Sequence, residues 1–254
     1  TAFDEYWQRQ VAIIVVYTLI VSGLNLSFGY GGELALGQVA MFAAGAYVTA
    51  VLANHGHYEL LLALVASIAA AGIVGLVSGV PGLRLGHWSL ALTSFFLVLL
   101  IPDVLTLLED ETGGLQGLSG MLDPTLFGMT LDWTGFFVFA FVVGCLWLVV
   151  MRNLVLSRYG RSLRVLRESP QLASSLGLSV FRLRISAYVL GSLPAGAAGG
   201  VFAYLTGFIS PDAFTLNLAI ALLAASVIGG VDSIYGAPVG AALLVLGPLQ
   251  TSGA

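Results

Sequence analysis

The chain has 254 residues, of which 58% are hydrophobic and 9% are charged, and its formal net charge is −4. A composition this apolar excludes a soluble globular domain of this size and indicates an integral membrane protein. The sequence has no lysine, which excludes a P-loop of the G-x-x-x-x-G-K-[ST] type and Schiff-base chemistry, so the chain is not itself a P-loop ATPase. Nucleic-acid binding has no support, since the arginines lie between apolar segments.

Eight apolar windows are long enough to cross a bilayer core of about 30 Å, which takes about 20 helical residues. In chain order they are Val11–Phe28, Leu34–Ala53, Leu60–Leu83, Trp88–Leu108, Trp133–Met151, Ile185–Ile209, Ala213–Val231 and Ile234–Leu249. The sequence therefore predicts an all-α membrane protein with about eight transmembrane helices in a single domain, residues 1–254. Because the chain starts at Thr1 without a signal-peptide pattern, we expect further residues upstream of it.

The first window leads into a glycine-rich stretch, Gly29–Gly37. Glycine at this density breaks a helix, and irregular backbone at membrane depth is tolerated only where protein or a water-filled cavity covers it. We therefore predict that this stretch lines a transport path. Its acid, Glu33, is a functional candidate at the membrane edge, and the alternative is a carboxylate in the headgroup region. The candidate path residues from the first half of the chain are Asn25, Gly31, Gly32, Glu33, Gly37, Gln38 and, in the fourth window, Thr93.

An acidic loop, residues 109–132, follows the fourth window and contains no basic residue. The stretch Thr112–Leu118 within it is rich in glycine, and its backbone amides are suited to approach a ligand carboxylate. Gly113 and Gly114 are therefore added to the candidate path, with a plain turn as the alternative.

The arginines are concentrated in one loop, residues 152–184, which holds seven of the nine cationic residues and one acid, Glu168. Positive charge stays on the cytoplasmic side during membrane insertion, so this loop is predicted to be cytoplasmic. Alternation of the windows then places Arg84 inside, and the acidic loop and both ends of the chain outside. We call residues 152–184 the arginine loop.

Within the arginine loop, local signals predict a short helix, Pro170–Leu176. Ser169 is a suitable N-cap, proline is favoured at the first helical position, and Gly177 is a left-handed C-terminal stop. Two turns are too short to be stable alone in water, so we predict that this helix docks on a cytoplasmic partner. The alternative is a solvated loop whose arginines only set the topology.

A second glycine break, Gly229–Gly240, separates the last two windows and resembles the first, because each has a glycine pair followed closely by an acid. Paired interrupted segments in the two halves of a chain indicate a transport site. This adds Gly229, Gly230, Asp232 and Ser233 to the candidate path. Both breaks fall on the inner side, so an inverted repeat would require one of them to be re-entrant, and the sequence leaves that question open.

Several short motifs occur along residues 20–245 in an order that resembles the LivM-type permease subunits of branched-chain amino acid ABC importers. No single motif is specific, but the ordered set is. The matching stretches are Gly23–Leu26, Gly29–Tyr30, Leu36–Gly37, Phe42, Gly45–Tyr47, Arg84–Gly86, Thr112–Gly114, Gly117–Leu118, Gly160–Glu168, Leu176–Gly177, Gly207–Pro211, Gly229–Gly230, Ser233, Gly236 and Gly240. The sequence departs from the family at Glu33, where glutamine is usual, and at Gln171, which replaces an acid.

The resemblance implies a type II importer-like permease that moves leucine, isoleucine and valine inward by alternating access, without catalytic activity of its own. Its implied partners are a second permease subunit in a hetero-dimer, two cytoplasmic ATPase subunits that bind ATP and Mg²⁺, and an extracytoplasmic binding protein. This chain would bind no cofactor and no metal. It would be a multi-pass protein in the lipid bilayer of a bacterial or archaeal inner or plasma membrane. The residues implied in ATPase coupling are Arg161, Arg164, Glu168, Pro170, Leu172, Ala173 and Gly177.

Three alternatives remain open on the sequence. The same importer class also serves other amino acids, urea and short amides. An ion-coupled secondary transporter requires carboxylates deep within its spans, whereas Glu33, Asp103 and Asp232 lie near span edges. An accessory membrane subunit without a transport path would not require glycine breaks at membrane depth.

Overall fold

The computed structural model describes residues 2–56, 59–84, 89–119 and 124–251 as a bundle of helices. The start of the fourth window at Trp88 and the motif residues Leu85 and Gly86 lie outside these ranges. The helices in the first half are α1 (Ala2–Leu24), α2 (Gln38–Asn54), α3 (Leu60–Arg84), α4 (Ser89–Leu99), α5 (Ile101–Leu107) and α6 (Glu109–Thr112). Those in the second half are α7 (Trp133–Leu156), α8 (Arg158–Glu168), α9 (Pro170–Ser175), α10 (Val180–Thr206), α11 (Leu216–Gly229) and α12 (Gly236–Thr251).

Four two-residue strands and short 3₁₀ turns complete the described chain. Strand β1 (Leu118–Ser119) pairs antiparallel with β4 (Phe208–Ile209). Strand β2 (Thr125–Leu126) forms a hairpin with β3 (Met129–Thr130). The protein is therefore helical, as predicted, with strand pairing confined to its loops.

Within the described residues, five helices are long and apolar enough to cross a membrane, and α4 with α5 makes a sixth if this pair is one span bent by 49°. The bend lies inside the predicted window Trp88–Leu108, next to Pro102, which lacks a backbone N–H for the helix. The two other windows correspond to the shorter apolar helices Gln38–Asn54 and Gly236–Gly247.

One end of the bundle carries the arginine loop, and we call it the arginine end. The Arg84 guanidinium at the end of α3 lies 5.9 Å from the centre of the Phe181 ring, at the start of α10. Arg167 of α8 pairs with Asp232, which follows α11. The loops after α1, α3, α7 and α11 therefore meet at this end.

The opposite end carries the acidic loop, and we call it the acidic end. β1 of that loop pairs with β4, which follows α10. His55, which follows α2, contacts this loop: its Nε2 lies 3.5 Å from a carboxylate oxygen of Glu111. The start of α1 reaches the same end, where Glu5 and Arg9 share a cavity with Trp133. Successive windows thus run alternately between the two ends.

Helix α10 lies at the centre of the bundle and contacts α1, α2 and α3 over its small residues. A methyl group added at Gly199 would lie 2.3 Å from the Phe42 carbonyl oxygen, and one at Gly196 would lie 2.5 Å from that of Ser67. Small residues permit such close approach of backbones, which is how helices associate in a membrane.

A second, smaller apolar cluster attaches the arginine loop to the bundle. It joins the residues that follow α1, the last turns of α7, both short helices α8 and α9, and the start of α10. Its buried members are Leu26, Tyr30, Met151, Val155, Leu163, Leu166, Ala173 and Ala187. The arginine loop is therefore folded onto the bundle rather than extended into solvent.

Candidate functional site

The first glycine break is irregular as predicted, although the helix persists further than expected. After α1 the chain continues as a π-helical turn, Asn25–Tyr30, and α2 begins only at Gln38. Gly32 has a positive φ of 72°, which favours glycine. π-helical turns are uncommon and are often found at functional sites.

The second break is a tight turn between α11 and α12. Gly230 has a φ of 103°. A methyl group at Gly229 would lie 2.1 Å from the Gly236 carbonyl oxygen, so only glycine permits this approach. The two predicted breaks therefore have different backbone structures, a π-helical turn and a glycine turn.

The two breaks contact each other at the arginine end. A methyl group added at Gly29 would lie 2.0 Å from the Val231 carbonyl oxygen, so the two backbones touch directly. The Tyr30 hydroxyl donates a hydrogen bond of 2.7 Å to the Asp232 carbonyl oxygen. Sequence reasoning did not select Tyr30, which no local signal distinguishes from an interfacial tyrosine.

Asn25 adds a buried polar connection between the breaks. Its Nδ2 donates to the carbonyl oxygens of Gly230, at 3.5 Å, and Ser233, at 3.4 Å. Its Oδ1 accepts a hydrogen bond of 2.5 Å from the Ser226 hydroxyl. Asn25 is 1% exposed. Five of the predicted path residues, Asn25, Gly229, Gly230, Asp232 and Ser233, are thus brought together.

The short helix of the arginine loop forms as the capping signals predict. α9 spans Pro170–Ser175, and its N-cap Ser169 accepts a hydrogen bond of 3.2 Å from the Leu172 N–H. The helix is one residue shorter than predicted, because Leu176 is already its C-cap, and Gly177 follows with a φ of 77°. The prediction of a capped element ended by a left-handed glycine is confirmed.

The two faces of α9 differ. Ala173 is fully buried in the second apolar cluster, whereas Leu172 is 50% exposed and Leu176 is 62% exposed. The helix thus buries one alanine and, with its C-cap residue, leaves two leucines half or more exposed on an apolar outer surface. Whether that surface meets an ATPase subunit remains a prediction.

Arg167 connects α8 to both glycine breaks. Its Nη1 donates 2.6 Å to the Gly29 carbonyl oxygen and also contacts the Asp232 carboxylate. The aliphatic part of the side chain lies along Gly32, where an added methyl group would be 3.2 Å from Cγ. The Arg164 guanidinium lies 5.7 Å from the centre of the Tyr30 ring.

Glu33 is buried and forms an ion pair with an arginine. The residue is 3% exposed, and its Oε1 lies 2.8 Å from Nε of Arg184, in the first turns of α10. The contact is an ion pair between these two charged side chains. The arginine partner is 151 positions away in the sequence and was not predicted.

The other predicted path residues near the arginine end lie in tight packing. A methyl group added at Gly31 would lie 3.4 Å from the Ala187 side chain, and one at Gly37 would lie 2.9 Å from the Tyr188 hydroxyl. Gln38 begins α2 and is 1% exposed. Thr93 is half-buried in α4 and lies near Gly82.

Gly113 and Gly114 lie apart from all of these, at the acidic end. Both have positive φ angles, 69° and 56°, and the Thr112 hydroxyl accepts a hydrogen bond of 3.3 Å from the Gly114 N–H. Their immediate contacts are within the loop, so the geometry is that of a local turn. The structure therefore separates the predicted path into two groups at opposite ends.

Over residues 9–251 the chain matches the family described as the permease component of the branched-chain amino acid transport system. The chain belongs to this family. Its permease fold and its apolar helices together make it a multi-pass membrane protein, as predicted.

Individual relatives of this permease family agree with the match. The chain is 33% identical to the high-affinity branched-chain amino acid transport permease LivM of Salmonella typhimurium over 91% of its own length and 60% of the relative's. LivM of Escherichia coli K12 is 33% identical over 92% of the chain and 61% of the relative. The chain thus spans about three fifths of the length of these curated relatives.

A more distant similarity involves a different named substrate. The autoinducer 2 import permease LsrC of Escherichia coli SMS-3-5 is 34% identical over 52% of the chain and 39% of the relative. No solved structure matches the chain.

Proposed function

We propose that this chain is the membrane-spanning subunit of an ATP-binding-cassette importer that moves branched-chain amino acids inward by alternating access. The proposal rests on the family membership and on the named substrates of the relatives that cover most of the chain. The substrate would arrive from an extracytoplasmic binding protein. ATP and Mg²⁺ would be bound by two cytoplasmic ATPase subunits, and this chain would supply no catalytic group.

The observation that carries the proposal is the geometry of α9. The helix is capped by Ser169, anchored by Ala173, and presents Leu172 and Leu176 outward at the arginine end. An anchored element with an apolar outer face is what a rigid connection to a second protein requires. Movement of the docked helix would tilt α7 and α10, whose ends hold the arginine loop.

The arginine end is inferred to be cytoplasmic, because seven of the nine cationic residues lie in its loop. Eight crossings are inferred as well, with α4 and α5 forming one bent span, since successive windows run alternately between the two ends. This would give a type II importer-like permease, paired with a second permease subunit in the inner or plasma membrane. Its coupling residues would be Arg161, Arg164, Glu168, Pro170, Leu172, Ala173 and Gly177.

Reconstitution into proteoliposomes tests the proposal. The liposomes would contain the chain, the second permease subunit and the attached ATPase subunits. ATP would be enclosed inside, and a binding protein would be added outside. We expect uptake of labelled leucine that requires both ATP and the binding protein. Uptake driven by an ion gradient without ATP would overturn the proposal in favour of a secondary transporter, and no uptake would favour an accessory subunit.

Two variants of α9 test the coupling role. Leu172→Asp places a charge on the exposed apolar face, and Gly177→Pro replaces a glycine whose φ of 77° proline cannot adopt. Both are expected to abolish ATP-driven uptake while membrane insertion is retained. Matched controls lie at the acidic end, where Leu115→Asp changes an exposed leucine and Gly128→Pro changes a glycine with a φ of 79°.

The similarity to LsrC favours testing other substrates of the same importer class. Competition of unlabelled leucine, isoleucine and valine with labelled leucine would be compared with that of other amino acids, urea and short amides. Stronger competition by a compound outside the branched-chain set would reassign the substrate and leave the importer class unchanged.

A further inference from the structure

We propose that two arginines on either side of α9 transmit its movement to the two glycine breaks, one ion pair to each break. This inference rests on the proposed function, which supplies the movement. The two pairs are Arg167 with Asp232 and Arg184 with Glu33, and we call them the arginine clamp. None of the four residues touches the substrate in this scheme, so they are positioning residues.

The placement of the two arginines along the chain is the first argument. Arg167 is the penultimate residue of α8 and lies three positions before Pro170, the first residue of α9. Arg184 lies in the first turns of α10, which follows α9 directly. Displacement of α9 must therefore displace both arginines, because each is held on a helix adjoining it.

The acids that they meet lie on different breaks. Glu33 belongs to the irregular stretch after the π-helical turn, and Asp232 belongs to the turn between α11 and α12. Arg167 also donates to the Gly29 carbonyl oxygen, so it holds the first break as well as the second. The clamp therefore joins the two helices that flank α9 to both irregular segments of the bundle.

The contact between α8 and the second break includes the ion pair of Arg167 with Asp232. A cavity of about 480 Å³ lies there, lined by Tyr30, Arg164, Arg167, Glu168 and Asp232. Leu163 and Leu166 hold α8 in the second apolar cluster, and the cavity lies beside its polar face. The ion pair is then the direct connection across that space.

The two ion pairs differ in solvent exposure, so they require different substitutions to test their roles. The side chains of Arg167 and Asp232 are 40% and 61% exposed, whereas those of Arg184 and Glu33 are 19% and 4% exposed. An exposed pair contributes little to stability, so its loss leaves the fold intact. A buried pair must be removed on both sides, because a single substitution leaves an unpaired buried charge.

The experiment measures leucine uptake per ATP hydrolysed by the reconstituted importer. Arg167→Glu and Asp232→Arg are each expected to lower this ratio by about three- to tenfold, in the range of measured coupling effects. The double variant restores the opposite charges and is expected to recover part of the ratio, because a carboxylate cannot replace the hydrogen bond that Arg167 donates to the Gly29 carbonyl oxygen. Arg158→Glu, an exposed arginine on the same helix, is the matched control and is expected to behave as the wild type.

The buried pair is tested by Glu33→Gln combined with Arg184→Gln, with Arg182→Gln as the exposed control on the same helix. We expect an assembled complex that hydrolyses ATP but takes up less leucine per ATP. For the exposed pair, recovery of leucine uptake per ATP by the charge exchange at Arg167 and Asp232, without a change in stability, is a result that a purely structural role would not give.

Three outcomes would overturn the clamp, and they separate failure of the clamp alone from failure of the proposed function. If the wild type transports and Arg167→Glu keeps the normal ratio, or if the double exchange is no better than either single variant, the clamp alone is wrong. If the wild type shows no ATP-driven uptake, the proposed function fails and the clamp fails with it.

Discussion

The two ends of the bundle are closed by different kinds of contact. At the arginine end, charged and polar side chains join elements that are far apart in sequence, such as Glu33 with Arg184. At the acidic end, closure comes from backbone pairing of β1 with β4 and from turns with positive φ angles. The comparison teaches that the end predicted to receive the ATPases adds long-range side-chain pairs to its backbone contacts, whereas the other end relies mainly on backbone geometry.

The largest effect is expected where the two glycine breaks touch at the arginine end. Gly29→Ala would place a methyl group 2.0 Å from the Val231 carbonyl oxygen, so the two segments must separate. We expect a loss of about 4 kcal/mol or more in the free energy of unfolding, among the largest single-residue effects. Thermal melting in detergent measures it, with Gly247→Ala as a helical control that has no neighbour within 4 Å. Equal stability of the two variants would mean that the breaks are not in contact.

A smaller loss is expected for the buried pair. Glu33→Ala leaves Arg184 charged in a site of low exposure, which typically costs about 3 kcal/mol. The double variant Glu33→Ala, Arg184→Ala removes the unpaired charge and should recover part of that loss. Melting of both variants, with the exposed Glu59→Ala as control, measures the difference. A double variant less stable than Glu33→Ala would contradict the pairing.

At the acidic end, the corresponding prediction concerns the backbone contact between β1 and β4. Gly117 has φ 77° and ψ −179°, and a methyl group there would lie 2.1 Å from the Ile209 carbonyl oxygen. Gly117→Ala is expected to cost about 2 kcal/mol through backbone strain and this clash. Gly128→Ala, with a φ of 79° and no neighbour within 4 Å, isolates the strain alone. If the two substitutions cost the same, the contact with Ile209 contributes nothing.

The smallest effect is expected at the cap of α9. Ser169→Ala removes the acceptor for the Leu172 N–H and should cost about 1 kcal/mol locally. Hydrogen exchange of the α9 amides measures this, since a local loss raises their exchange rates without changing the melting temperature. Ser179→Ala is the control, because Ser179 is the N-cap of α10 but its side chain makes no capping hydrogen bond. Unchanged exchange in Ser169→Ala would show that burial of Ala173 alone holds the helix.

Local signals were sufficient for much of the architecture. The apolar windows predicted where helices lie, and the capping residues Ser169, Pro170 and Gly177 predicted α9 to within one residue. The glycine pairs marked both breaks. These features depend on contacts between neighbouring residues or on the transfer of apolar side chains from water to the membrane. They can therefore be predicted from local sequence.

The candidate site was predicted only in part, because its contacts join residues that are far apart in the sequence. Asn25 and Gly230 were each selected, but nothing in their neighbourhoods indicated a hydrogen bond between positions 205 apart. Gly113 and Gly114 were grouped with them and lie at the opposite end. Tyr30 was named only within a family motif and Arg184 only as part of the arginine loop, because their individual importance comes from the partners that folding brings to them.

The sequence by itself determined the helical membrane class, the concentration of positive charge in one loop, and the places where the backbone leaves the helix. Each follows from composition or from contacts within a few residues. Only the tertiary structure decided that the two breaks meet, that Glu33 is buried against Arg184, and that Arg167 joins α8 to both breaks. Those pairings depend on helix positions in three dimensions, which a one-dimensional pattern of charges and glycines does not specify.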